Sequence, residues 1–153
     1  MLLTGKQKLE RLRDGRIVYV GSEKVTDVTT HPAFQRGAQT IAELYDMKAD
    51  PANHAALSFE EDGDRYSLYW LRCRNRDDLA RRMQAIKTIA EFTYGLIGRS
   101  PDHVAGLVTG MATRHSVLND LHAGFGDNLL NYYRHARKND LYLCFAVVPP
   151  TGL

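Results

Sequence analysis

The feature that most limits what this chain can fold into is its last apolar run, Leu141-Tyr142-Leu143-Cys144-Phe145-Ala146-Val147-Val148, which follows Asn139-Asp140 and stops at Pro149-Pro150. A run without polar alternation is typical of a strand buried on both faces. Such a strand needs a neighbour on each side to take its backbone N–H and C=O groups. Upstream the chain offers two short hairpin patterns and nothing else of β character. One comprises Ile17–Val20, a Gly21-Ser22 turn and Lys24–Val28; the other comprises residues 57–61 and 65–71 around Asp62-Gly63-Asp64. The run is therefore expected to be completed by polypeptide beyond residue 153.

Helix signals fill the rest. Thr4 with Gln7 forms a capping-box pattern for a helix over residues 4–14, ended by Gly15. Thr29-Thr30-His31-Pro32 reads as a second helix start with Pro at the first helical position, and Phe34, Ala38, Ile41, Ala42 and Tyr45 recur at helical spacing until Asp50-Pro51. Asn75 precedes Asp77 and Asp78, acidic residues suited to the positive end of a helix, and Leu79, Met83, Ile86, Ile89, Ala90 and Thr93 continue its apolar face towards Gly95 or Gly98. Ser100-Pro101 opens another helix, with Val104, Leu107, Val108 and Met111 on one side and a Gly106/Gly110 pair that would admit a neighbouring backbone. A last helix spans Val117 to Asn139, with Leu118, Leu121, Phe125, Leu129 and Tyr132 in near-heptad order and Gly124 and Gly126 marking a bend or break. The expected class is α+β, mainly α: residues 1–140 a helical domain with two hairpins, and residues 141–153 the first strand of a β domain.

Composition excludes more than it assigns. A chain of 153 residues, 44% hydrophobic, has enough core for one domain without a structural metal or disulfides. Lys and Arg number 20 against 18 Asp and Glu, a net charge of +2 that argues for neither nucleic acid nor an anionic membrane surface. The start, MLLTGKQKLERLRDGR, turns charged at once and no apolar run approaches the length of a membrane span, so a cytoplasmic protein is expected. Cys73 and Cys144 lack CxxC spacing and read as two reduced, partly buried thiols.

Common nucleotide, hydrolase and zinc-protease signatures are absent. Of the histidines at 31, 54, 103, 115, 122 and 135, only His115 and His122 share a helical face, with no ligand set beside them, so no metal site is expected. Arg72, Arg74, Arg76, Arg81 and Arg82 are interrupted by Asp77 and Asp78 and read as a solvated helix start with local ion pairs. Arg99-Ser100-Pro101-Asp102-His103 brings a cation, an imidazole and the orphan N–H groups of a helix N-terminus to one place, where they suit an anion. The same residues also read as no more than a helix start carrying an Arg.

An ordered series adds to this. It comprises Asp14-Gly15-Arg16, Asp27-Val28-Thr29-Thr30-His31-Pro32-Ala33-Phe34, Leu44-Tyr45-Asp46, Gly98-Arg99-Ser100-Pro101-Asp102, Tyr132-Tyr133 and Asn139-Asp140-Leu141 before the apolar run. In order and spacing the chain resembles the N-terminal part of the oxygenase component of the 4-hydroxyphenylacetate 3-monooxygenase family, two-component flavin enzymes of acyl-CoA-dehydrogenase-like fold. The resemblance implies a reduced-FAD-dependent aromatic monooxygenase that hydroxylates a ring ortho to a phenol. FAD would come reduced from a separate flavin reductase, and the full-length form would be a homo-oligomer. It also implies roles. Arg99 matches the family's substrate-binding Arg, His103 occupies the position of its Tyr, and Phe145 that of its His; flavin contacts map to Phe145, Ala146, Val147 and Val148.

Arg99 suits an anionic oxygen, and His103 suits a hydrogen bond or a base near neutral pH. Phe145 can only shape an apolar wall, and Pro149 stands where the family has Asp. The isolated chain is expected to be inactive and not to retain FAD. The alternative is a noncatalytic or split-protein interaction domain that docks on a partner supplying the flavin-binding β domain. The related 4-hydroxybutyryl-CoA dehydratase branch needs closely spaced cysteines for its iron–sulfur cluster, and residues 85–110 contain none.

Overall fold

Thr4 opens the first helix, α1 (Gly5–Arg11), with a complete capping box: its hydroxyl accepts from the Gln7 N–H at 3.3 Å while Gln7 Oε1 accepts from the Thr4 N–H at 2.9 Å. Such a cap stabilises a helix by about 1 kcal/mol. The computed structural model describes residues 2–95 and 102–144. The chain divides into two compact units, Met1–Leu68 and Tyr69–Leu153.

In the first unit the expected hairpin forms from β1 (Val18–Val20) and β2 (Glu23–Val25), antiparallel with Val18 opposite Val25. The second helix, α2 (Gln35–Ala49), starts later than Pro32. Asp27 Oδ1 accepts from the Thr29 N–H and hydroxyl, both at 2.7 Å, and His31 Nδ1 accepts from the Ala33 N–H at 3.1 Å. These local bonds satisfy the backbone in turns, in competition with helix. α1 packs on α2 through Gly5, whose N–H donates to Asp46 Oδ1 at 2.7 Å; a side chain there would collide with the Ala42 carbonyl.

Tyr45 and Lys48 are fully buried on α2. The Lys48 ammonium donates to Ser67 Oγ at 3.2 Å and lies 3.7 Å from the centre of the Tyr45 ring, so the buried cation is matched by a hydroxyl and a π face. Asp50 then caps a 3-10 turn, Pro51–Asn53, and a single helical turn, α3 (His54–Leu57), follows where the sequence pattern predicts none. The second hairpin pairs β3 (Ser58–Glu61) with β4 (Asp64–Ser67), closed by Asp62 at φ 55° and Gly63 at φ 79°. Two consecutive left-handed residues are what a type I′ turn requires. The second strand stops at Ser67, short of Leu71, because Leu68–Trp70 turns into a 3-10 helix.

In the second unit Asn75 Oδ1 accepts from the Asp78 N–H at 2.8 Å and caps α4 (Arg76–Phe92). α5 (Asp102–Thr113) follows. The long helix expected from Val117 is two elements, a 3-10 helix at His115–Asp120 and α6 (Phe125–Lys138). Gly124 at φ 85° separates them, and the Gly126 N–H donates to Asn119 Oδ1 at 2.8 Å where any side chain would strike the His115 carbonyl.

The buried faces are not the ones the large apolar residues mark. On α5 Ala105, Thr109 and Ala112 are buried with Val104, whereas Leu107 and Met111 are 58% and 41% exposed. On α6 Tyr133, Ala136 and Arg137 are buried, and Phe125 and Tyr132 are exposed. Residues 141–144 carry no regular secondary structure. The remainder of the expected strand, Phe145 onward, lies outside the described residues. Cys73 and Cys144 are free thiols. Among the described residues no helix is long and apolar enough to cross a membrane. The class is α+β, mainly helical with short antiparallel hairpins.

Candidate functional site

Of the residues singled out for chemistry, Arg99, Phe145, Ala146, Val147 and Val148 lie outside the described residues, and His103 lies within them. His103 occupies the first turn of α5, with an exposed side chain. One turn further on, Gly106 faces the guanidinium of Arg82 from α4, which fills the space a side chain at 106 would need. The glycine therefore admits a side chain and not a neighbouring backbone, while Gly110 has open space around it. Among the described residues Arg82 Nε is buried with no hydrogen-bond partner. Arg82 is thus an inward-reaching cation beside the helix that carries His103, and the solvated face expected for it is not what forms. Only the pairing of Arg82 with a helical glycine on a different element could have signalled this, and that pairing has no local signature.

Arg72 departs from expectation in the same way. Its guanidinium lies 5.6 Å from the centre of the Tyr133 ring, and that of Arg137 5.2 Å. Tyr133 is 1% exposed, and its hydroxyl donates to the Trp70 carbonyl at 2.8 Å. Tyr69 donates to Asp140 Oδ1 at 3.2 Å. Asp140 is buried and left-handed at φ 45°, so it turns the chain out of α6 under side-chain control, directly ahead of the apolar run. The cluster holds aromatic faces between cations and anchors both ends of this unit's described core.

In the first unit Arg13 and Arg16 are each committed to an acidic partner. Arg13 Nε donates to Asp27 Oδ2 at 2.9 Å and Arg13 Nη2 to Thr29 Oγ1 at 2.8 Å. Hydrogen bonds from Thr29, then from Arg13, hold the Asp27 carboxyl at about 2 against an ordinary value of 3.8. Arg16 pairs with Asp14 and holds it at about 2 in the same manner. A cleft of roughly 260 Å³ lies beside both arginines, lined also by Leu12, Val25 and Val28, and it presents paired guanidiniums to solvent. Among the described residues no group of three His, Cys, Asp or Glu is placed to hold a metal ion.

Much of the ordered motif series is thus structural. Asp27, Thr29 and His31 knit the turns before α2, Tyr45 and Asp46 seat Lys48 and α1, and Tyr133 and Asp140 anchor the second unit.

Residues 4–152 match the family described as 4-hydroxyphenylacetate 3-hydroxylase N terminal. The chain is 38% identical over 152 residues to the 4-hydroxyphenylacetate 3-monooxygenase oxygenase component of Thermus thermophilus, covering 98% of this chain and 31% of that protein. It is 37% identical over 151 residues to the oxygenase component of a 4-nitrophenol 2-monooxygenase from a Rhodococcus species, covering 97% of this chain and 28% of the relative. The chain therefore spans less than a third of the length of these relatives.

A crystal structure of an oxygenase component of 4-hydroxyphenylacetate 3-monooxygenase, complexed with FAD and 4-hydroxyphenylacetate, superposes with a TM-score of 0.82 at 37% identity. It covers 90% of this chain and 28% of that one. An archaeal 4-hydroxybutyryl-CoA dehydratase shares the fold at a TM-score of 0.70 and 16% identity, over 92% of this chain and 28% of the other. The fold is acyl-CoA-dehydrogenase-like, and by the match over residues 4–152 this chain belongs to the 4-hydroxyphenylacetate 3-hydroxylase family.

Proposed function

We infer that this chain forms the N-terminal portion of a two-component, reduced-FAD-dependent monooxygenase acting on a phenol. The observation that carries the reading is the family match over residues 4–152, joined to the 0.82 TM-score with a relative solved with FAD and 4-hydroxyphenylacetate. Three relatives are named for 4-nitrophenol, 4-hydroxyphenylacetate and a 3-chloro-4-hydroxyphenyl substrate. Each of those rings carries a substituent para to its hydroxyl, and a para-substituted phenol is the substrate class assigned here.

In this reading Arg99 holds the phenol oxygen as an anion, and His103 donates a hydrogen bond to that oxygen or takes its proton. Phe145 closes the chamber with apolar surface that excludes water. FAD, reduced by a separate flavin reductase, supplies the oxygen-activating chemistry when bound. Phe145, Ala146, Val147 and Val148 would meet it through backbone and apolar contact, having no charged side chain among them. In the longer polypeptide residues 141–153, of which 141–144 carry no regular secondary structure in this chain, would supply the first strand of a β domain after the helical domain of residues 1–140. The active form is a cytoplasmic homo-oligomer of the longer polypeptide.

A noncatalytic or split-protein role is the second reading, favoured by His103 and Phe145 standing where the family carries Tyr and His. Flavin titration separates the two. A longer polypeptide containing this chain should bind reduced FAD while the 153-residue chain does not; a longer form that binds none sinks the enzyme reading. In an active longer form, Arg99→Ala should lower kcat/KM by about tenfold or more, and unchanged kinetics would remove the anion-anchor role.

A further inference from the structure

Three aromatic rings of the second unit form a continuous buried row to which the proposed reaction gives no task. Tyr69, Trp70 and Tyr133 are all buried. The ring centres of Tyr69 and Trp70 lie 5.7 Å apart, and those of Trp70 and Tyr133 lie 6.1 Å apart, edge on. Rings in such contact pack well, and they also pass an electron from one to the next. Their surroundings differ in a way that packing does not require. The guanidiniums of Arg72 and Arg137 lie 5.6 Å and 5.2 Å from the centre of Tyr133, so positive charge on that ring is opposed by two cations. The Tyr133 hydroxyl donates to the Trp70 carbonyl, a peptide oxygen too weakly basic to take its proton. Trp70 Nε1 is buried and among the described residues has no hydrogen-bond partner, so an oxidised indole finds no base there. Tyr69 donates instead to a buried carboxyl oxygen, Asp140 Oδ1 at 3.2 Å.

We propose that Trp70 and Tyr69 form a one-electron relay, with Asp140 as its proton acceptor, that draws radical oxidants off the protein's oxygen chemistry. An oxygen radical of the hydroxyl class takes one electron from Trp70 through the packed side chains and, with a solvent proton, becomes water. Tyr69 then gives one electron to the oxidised indole as its phenolic proton moves to Asp140 Oδ1, which leaves a neutral tyrosyl radical beside a neutral carboxyl group. Tyr133 does not compete, because its two cations and its carbonyl acceptor make the same step costly. The cycle closes when a soluble enediol such as ascorbate gives Tyr69 one electron and Asp140 gives back the proton. That the radical arises from dioxygen activation rests on the monooxygenase reading; the relay belongs to Tyr69, Trp70, Tyr133 and Asp140 themselves.

The test uses the 153-residue chain, in which Trp70 is the one tryptophan. A laser pulse at the red edge of the indole band, where tyrosine does not absorb, removes an electron from that ring alone. Transient absorption should show the indolyl signal decaying as a tyrosyl signal rises, at a rate independent of protein concentration. Tyr69→Phe should slow that decay several-fold, and Tyr133→Phe should leave it unchanged. Asp140→Asn, which still accepts the hydrogen bond but takes no proton, should slow it as Tyr69→Phe does. Deuterium oxide should slow the decay of the parent chain, a readout that needs no variant to fold. A decay indifferent to Tyr69→Phe or to deuterium oxide overturns the relay, as does a tyrosyl signal abolished by Tyr133→Phe. In an active longer form, Tyr69→Phe should match the parent in the first turnover and lose activity several-fold faster over many turnovers. Equal lifetimes overturn the protective role. A longer parent with no turnover at all counts against the monooxygenase reading, while the relay stands or falls on the photochemistry.

Discussion

The guanidinium of Arg82 on α4 occupies the volume over Gly106 on α5 that a side chain at position 106 would fill. Three glycines of this unit therefore answer differently to one added methyl group. At Gly106 the obstacle is the end of a flexible side chain, so Gly106→Ala is expected to displace Arg82, and the lost packing to offset the gain in helix propensity to within about 1 kcal/mol. At Gly110 nothing lies within 4 Å, so Gly110→Ala should stabilise by about 0.5–1 kcal/mol. At Gly126 the obstacle is the His115 carbonyl, and Gly126→Ala should destabilise by about 2 kcal/mol or more. Denaturant titration of the three variants checks the order, and a stabilising Gly126→Ala would contradict the described junction.

Tyr133 is held from several sides. Its hydroxyl donates to the Trp70 carbonyl at 2.8 Å and accepts from Arg137 Nη1 at 3.5 Å. Tyr133→Phe keeps the ring and its two cations but strips a buried acceptor of its donor. The expected cost is about 1–2 kcal/mol by chemical denaturation, with little change in far-UV circular dichroism. An unaffected midpoint would show that the hydroxyl bond is not formed in solution.

Local chemistry was legible wherever one short segment decides the outcome: the Thr4–Gln7 box, the Asn75 cap, the Asp62-Gly63 turn and the break at Gly124. The burial of helix faces was not. Helical periodicity cannot distinguish an apolar stripe that meets the chain's own core from one left uncovered, and on α5 the close face belongs to Ala105, Thr109 and Ala112 because small residues permit close approach. Leu107, Met111, Leu79 and Met83, the residues that dominate the periodic pattern, are the exposed ones. In the candidate site the sequence singled out His103 at its helix start, while Arg82 depends on a contact between different helices that no local pattern records.

Asp140 joins a left-handed backbone to a buried hydrogen bond from Tyr69. Asn tolerates the same backbone region and presents a carbonyl oxygen to the same hydroxyl, whereas Ala does neither. Asp140→Ala is expected to cost about 2 kcal/mol and Asp140→Asn clearly less, read from thermal or denaturant unfolding. Equal losses in the two variants would mean that the carboxylate charge, and not the turn, is what position 140 supplies.

Asp27 sets part of the acid response of the first unit. Its folded value, about 2, lies below the ordinary 3.8 because Thr29 and Arg13 hydrogen-bond the charged form. A group lowered on folding contributes stability that is complete above the unfolded value and disappears as pH falls through the folded one. The loss attributable to Asp27 should therefore run from about pH 4 down to about pH 2. Asp27→Asn cannot ionise, so its unfolding free energy should be lower than the parent's at neutral pH and should converge on it across that window. Paired pH titrations of the melting temperature measure this; a constant gap between parent and variant down to pH 2 would place the acid-sensitive interaction elsewhere, with the Asp14–Arg16 pair as the next group to remove.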